Sequence, residues 1–363
     1  MEAVVNGELK PAPLTLLPVK FVGGLLAIGS GLALGREGPS VQMGASLGAL
    51  LGKWSCWTEA DRRALLAAGA GAGLATAFNA PIAGAVFVLE ELVRRFEPRV
   101  AIAALSASAG AMAVARIFLG SAPDFQVPPM APPGPGCVFL FAVLGVVAGL
   151  AGAGYTQAIL GALRLADRLP RAMRNWRAAA VGAGVAVVAW FAPSWVGGGE
   201  GLTQATLAGD IGLRALPFLF AFRFLFGAVS YASATPGGLF APLLVLGAQT
   251  GVLFAALCPS SIRLLTHEEA FPLAGMAAFF IAVVGSPLTG VVLVAELSGS
   301  YNLFLQMLAA GAAAMVVAKA LGSPPIYDVL KARTLDLEAR GGAEPRRAAR
   351  CTTGEPSETK QEK

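Results

Sequence analysis

The chain has 363 residues, of which 56% are hydrophobic and 13% charged, with a formal net charge of +5. A soluble domain carries about 25% charged residues, so the composition excludes a soluble globular fold and points to a polytopic helical membrane protein. The basic excess sits in short loops and the C-terminal end, which argues for cytoplasmic membrane edges and against nucleic acid.

Met1 to Lys10 carries two acids and no apolar core, so it does not read as a signal peptide. Residues 14–35 are nearly uncharged and run into Gly35-Arg36-Glu37-Gly38-Pro39. A charge at mid-bilayer costs about 2.5–3.5 kcal/mol, so Glu37 is a candidate functional residue. The flanking glycines and proline break the helix before Glu37 and restart one after Pro39. A new helix N-terminus presents unpaired N–H groups and a positive dipole end, which suits an anion.

Residues 64–89 are 26 residues without Asp, Glu, Lys or Arg, and end at Glu90-Glu91. About 20 apolar residues cross a bilayer. A proline-rich stretch, residues 119–136, reads as an external linker between two membrane halves. The segments 137–160 and 179–193 follow, joined through Arg164, Arg168, Arg171, Arg174 and Arg177, opposed only by Asp167; that loop is placed in the cytoplasm. Further apolar segments occupy 239–258, 270–295 and 302–318. His267, the single histidine, lies beside Glu268 and Glu269 at a segment edge and reads as a solvated loop residue. The four cysteines show no paired spacing, so neither a metal site nor a disulfide framework is expected, and no cofactor. Residues 331–363 are polar and read as a disordered cytoplasmic tail.

An internal repeat underlies this order. Gly69, Pro81, Gly84 and Glu90 match Gly275, Pro287, Gly290 and Glu296 at a constant offset of 206. Gly35 to Pro39, Gly44 and Gly48 match Gly238 to Pro242, Gly247 and Gly251 at an offset of 203. Repeats with glycine- or proline-interrupted helices mark transporters whose site lies between broken helices at the midplane. The predicted domains are therefore a first membrane repeat at 1–118, the linker at 119–136, a second repeat at 137–330 and the tail at 331–363. In the second half, 101 residues precede Gly238, whereas 34 precede Gly35 in the first. About 67 residues, enough for two membrane helices, are thus expected ahead of Met1.

The chain resembles the CLC family of chloride channels and proton/chloride antiporters, in its bacterial form. Four motifs carry the likeness, in order: Gly35-Arg36-Glu37-Gly38-Pro39; Phe78-Asn79-Ala80-Pro81 leading to Glu90-Glu91; Gly237-Gly238-Leu239-Phe240-Ala241-Pro242; and Tyr327. The resemblance implies a gating role for Glu37, which occupies the outer anion site when ionised and swings away when protonated. It implies that the N–H groups of Leu239 and Phe240 hold a central chloride, that Gly38 contributes at the outer site, and that the Tyr327 hydroxyl donates to the central ion. Glu91 resembles the inner proton-transfer glutamate of antiporters. Arg36 is expected to be structural, the competing assignment being a fixed Arg36–Glu37 ion pair. Glu90 has a repeat partner in Glu296 and is assigned to packing or a water pathway, whereas Glu91 faces Leu297 at the matching position. The family's Gly-Ser-Gly-Ile-Pro turn is expected just ahead of Met1.

The resemblance implies secondary active exchange of chloride for protons by a homodimer in the lipid bilayer, multi-pass in the inner (cytoplasmic) membrane. The alternatives are a passive voltage- or pH-gated chloride channel and a non-conducting fragment. An enzyme is not expected, because no nucleophile–base pair or metal-ligand spacing is present.

Overall fold

Segments this apolar can satisfy their backbone polar groups in lipid only as helices or closed barrels. The computed structural model describes residues 2–5, 8, 13–54, 58–120, 122–131, 133–259, 267–336 and 339. Among them every named element is a helix, and the one strand-like pairing is an isolated bridge between Gly35 and Gly238. In chain order the helices are α1 (Glu2–Val5), α2 (Leu16–Gly29), α3 (Glu37–Trp54), α4 (Glu59–Phe78), α5 (Pro81–Phe87), a π-helix (Val88–Val93) and α6 (Pro98–Leu119). They continue with α7 (Val138–Asp167), α8 (Arg171–Phe191), α9 (Glu200–Leu207), α10 (Leu216–Ala232), α11 (Phe240–Leu257), α12 (Ala270–Val284), α13 (Pro287–Ser298) and α14 (Phe304–Ala320). Residues 326–336 form α15, so helix continues past residue 331; of the remaining predicted tail, 337–338 and 340–363 lie outside the described residues, as do Cys56 and Cys351.

Among the described residues, α6, α7, α11 and Tyr301–Ala320 are long and apolar enough to cross a membrane. Others are too short. At 1.5 Å per residue, the 15 residues of α12 reach about 22 Å and the 12 of α13 about 18 Å, against about 30 Å of hydrocarbon. Such helices end inside the protein, where their termini meet other chain segments instead of water.

The repeat appears as matched packing. A methyl group on Gly44 of α3 would overlap the carbonyl oxygen of Gly69 in α4. One on Gly275 of α12 would overlap the carbonyl oxygen of Gly247 in α11. Both helix pairs therefore approach backbone to backbone, as small residues allow in membranes. The breaks match as well. Asn79 caps α4 at φ +51° and Gly285 caps α12 at φ +86°, both left-handed, and a proline opens the next helix in each half. Asparagine and glycine are the residues that tolerate this conformation. One expectation shifts: α3 begins at Glu37, not after Pro39, because proline fits a first turn whose N–H groups are unbonded in any case.

All 15 residues of α12 are buried, and with α7 and α14 it forms the centre of the second half. Around Phe240 the two halves meet: its ring stacks on Phe78 at 6.0 Å and meets Phe280 edge-on at 4.6 Å. Arg333 donates to Asp167, so α15 and the end of α7 lie on the same side.

Candidate anion and proton site

The two glycine loops that match in sequence pair directly in space. Gly35 N–H donates to the Gly238 carbonyl at 2.9 Å, and Gly238 N–H donates to the Gly35 carbonyl at 2.8 Å. This bridge sets the start of α3 beside the start of α11. Glu37, in the first turn of α3, is 2% exposed, and its Oε1 accepts from the Phe240 N–H at 2.5 Å. Its Oε2 is buried without a hydrogen-bond partner among the described residues. A Cβ on Gly35 or on Gly238 would overlap the Glu37 carboxyl group, so both glycines make room for it. The helix terminus expected to hold an anion therefore holds the carboxylate of Glu37, for the reason an anion would bind there: free N–H groups at a positive dipole end.

Inward of Glu37 lies a chamber of about 240 Å³, lined by Glu37, Gly38, Phe240, Tyr231, Tyr327 and Glu91 among others. The Tyr327 ring lies 6.1 Å from that of Phe240. Leu239 is fully buried next to Phe240 but does not line this chamber; its carbonyl accepts from the Leu243 N–H. Glu2 and Lys331 also line the chamber and pair at 3.2 Å, and Lys331 reaches Glu8 at 2.9 Å.

Glu90 and Glu91 have separate environments. Both lie on the π-helix, a wide turn common at functional sites, which ends at Arg94 with φ +58°. Glu90 accepts from the N–H groups of Leu288 at 3.0 Å and Thr289 at 2.7 Å, and from the Thr289 hydroxyl. Glu91 is 5% exposed and accepts from the Ser286 hydroxyl at 2.7 Å. Arg94 lies 3.5 Å from Glu91 and also pairs with Asp328 and Glu2. Glu91 lines the chamber and also a second cavity of about 700 Å³ with Arg94, Lys319, Ser323 and Asp328.

Arg36 is engaged away from Glu37. Its half-exposed guanidinium meets Asp124 at 3.2 Å and Glu200 at 3.4 Å. Burial pushes the Asp124 carboxyl above its ordinary value, with Arg36 opposing and Glu200 adding to the shift.

Sequence reasoning did not single out Ser286, Tyr231, Asp124, Glu200 or Arg223. Ser286 had a usable signal. At the 206 offset it faces Ala80, a polar residue breaking the repeat as Glu91 does. Arg223 had one too, as the single charged residue in the apolar run Leu216–Ala232; Tyr231, Asp124 and Glu200 carried no distinguishing pattern.

A family model described as "Voltage gated chloride channel" matches residues 1–319. The H(+)/Cl(-) exchange transporters ClcA of Salmonella typhi and Salmonella typhimurium are each 36% identical over 342 residues, covering 90% of this chain and 71% of theirs. A slow cyanobacterial Cl-/H+ antiporter of known structure is 32% identical, with a TM-score of 0.86 over 92% of this chain and 80% of that one. A CLC-type fluoride/proton antiporter shares the fold, with a TM-score of 0.74 at 23% identity. With its paired glycine loops, its buried Glu37 and this match over most of its length, the chain belongs to the CLC, or voltage-gated chloride channel, family.

Proposed function

We propose that the protein exchanges chloride for protons across a membrane, with Glu37 as the gate common to both ions and Glu91 as the inner proton acceptor. The observation that carries this reading is that Glu37 and Glu91 line one chamber while Glu91 also lines a second cavity. A chloride ion at the start of α11 needs the Phe240 N–H that Glu37 now occupies. Anion and carboxylate therefore compete for one donor, and protonation of Glu37 weakens its hold. Taking a carboxyl group out of water favours its neutral form, which suits a group that loads and unloads protons. Glu91 gives protons an inner route through the second cavity, apart from the anion.

In this reading the Tyr327 hydroxyl donates to the chloride in the chamber, a fitting use of a phenol with a polar tip and an apolar body. Gly38 lines the same chamber, and the Leu239 N–H is a further donor of the anion site. Similarity to proteins named as exchangers, among sequence relatives and solved structures alike, supports exchange over simple conduction.

The decisive measurement is chloride uptake into proteoliposomes with external pH recorded. Proton movement driven by a chloride gradient is expected; chloride flux with no proton movement would sink the exchange reading. The exposed apolar side chains of α6, among them Ile102, Val114, Ile117 and Phe118, suit a lipid environment. A homodimer in the bacterial inner membrane completes the proposal, tested by cross-linking in native membranes.

A further inference from the structure

We propose that Ser286 is a positioning residue for the inner proton step: its hydroxyl holds Oε2 of Glu91 and leaves Oε1 as the atom that takes the proton. This inference rests on the reading of Glu91 as the inner proton acceptor.

Ser286 occupies the N-cap position of α13, immediately before Pro287. A serine there ordinarily bonds the N–H groups of its own helix's first turn. Ser286 makes no such bond. Those N–H groups, on Leu288 and Thr289, are taken by Glu90 from the other half of the protein. Because Glu90 caps the helix, the serine hydroxyl is released to point elsewhere, and it donates to Glu91 Oε2 at 2.7 Å. Ser286 is 1% exposed and Glu91 5%, so the bond is buried.

Neither member of this pair has a counterpart in the repeat. At the 206 offset Ala80 stands opposite Ser286, and Leu297 opposite Glu91. Both are polar departures from the repeat, one in each half, and these two side chains meet. A serine hydroxyl has one hydrogen to give, and here it goes to Oε2. Oε1 faces Arg94 at 3.5 Å, a guanidinium that Asp328 and Glu2 also engage. Oε1 is therefore the more loosely held oxygen. A proton arriving from the second cavity adds to Oε1 and later departs from it, while the Ser286 bond to Oε2 persists.

The test compares Ser286→Ala, Ser286→Thr and Glu91→Gln in the full chain, reconstituted in proteoliposomes, with chloride flux, proton flux and the reversal potential recorded. Ser286→Ala is expected to lower proton flux on the order of tenfold, the weight of one hydrogen bond to a charged group, and to shift the reversal potential toward that of chloride alone. Chloride flux stays within about twofold of the original, which also reports an intact fold, and Ser286→Thr restores coupling. If Glu91→Gln uncouples but Ser286→Ala keeps the original reversal potential, the inference about Ser286 is overturned while Glu91 keeps its role. It is overturned equally if both fluxes fall together in Ser286→Ala, or if Ser286→Thr fails to restore coupling. Unchanged proton flux in Glu91→Gln would overturn the reading of Glu91 and this inference with it.

Discussion

Glu90 and Glu296 cap each other's helices. Glu90 accepts from the Leu288 and Thr289 N–H groups at the start of α13, the helix that contains Glu296. Glu296 in turn accepts from the Ile82 and Ala83 N–H groups, at 3.1 and 2.7 Å, at the start of α5, which leads into Glu90. The two short helices start inside the protein, where unpaired N–H groups would be expensive. Each half supplies what the other lacks. Replacing either glutamate by alanine is expected to cost about 1–2 kcal/mol of stability, with glutamine costing less because its carbonyl still accepts. Thermal unfolding in detergent measures this; unchanged midpoints in both alanine variants would refute the reciprocal capping.

Glu37 and Gly238 make a linked prediction. Glu37→Gln removes the negative charge that competes with an anion at the Phe240 N–H, so chloride flux should persist while proton coupling is lost. Gly238→Ala attacks the same arrangement from the other side. Its added methyl group would overlap the Glu37 carboxyl group, the movable end of a side chain, so the carboxylate is displaced and the fold is kept. Proteoliposome flux should show Gly238→Ala uncoupled in the same sense as Glu37→Gln. Full coupling in Gly238→Ala would mean that the carboxylate works from another position.

Much of this arrangement is legible in the sequence because the repeat is written in glycines, prolines and glutamates with fixed backbone consequences. The 203 offset between Gly35 and Gly238 announces two matching loops, and in the structure those residues bond to one another. The sequence also distinguishes Glu90 from Glu91, since Glu90 has a repeat partner and Glu91 has none, and in the structure the two carboxyl groups have different partners. What it does not show is any contact made by a side chain on an element without periodic constraint. Arg36 has several acids within reach along the chain, and only the path of residues 122–131 over the loop selects Asp124. Ser286 looks like an ordinary cap until Glu90 is seen to take its helix.

Arg36 should matter for the ion more than for the fold. Its partners Asp124 and Glu200 are surface pairs, its side chain is 50% exposed, and such pairs contribute about 0–1 kcal/mol. Arg36→Ala is expected to leave the unfolding midpoint nearly unchanged. Its positive charge lies beside the loop that carries Glu37, where it raises the local concentration of anions. Chloride dependence of flux should therefore shift to higher concentration in Arg36→Ala, with the effect shrinking as ionic strength is raised with an impermeant salt. An equal shift at all ionic strengths would show that the guanidinium acts by contact instead.

Arg223 is the opposite case, a charge buried for the fold. It is 2% exposed, and its guanidinium donates to the carbonyls of Trp195 at 3.1 Å, Gly197 at 2.8 Å and Gly198 at 3.0 Å. Gly197 N–H donates at 2.7 Å to the carbonyl of Gly31, at the end of α2, and Glu200 just beyond the turn pairs with Arg36. The arginine thus fixes the glycine turn that braces the Glu37 loop. Arg223→Met strips three half-buried carbonyls of their donor, at up to about 1–3 kcal/mol for each left unpaired. A loss of about 3 kcal/mol or more is expected, seen as a sharply lowered unfolding midpoint. Arg223→Lys keeps the charge but lacks the planar fork that reaches several carbonyls at once, so it should recover only part of the loss. Full recovery with lysine would show that the charge, and not the fork, holds the turn.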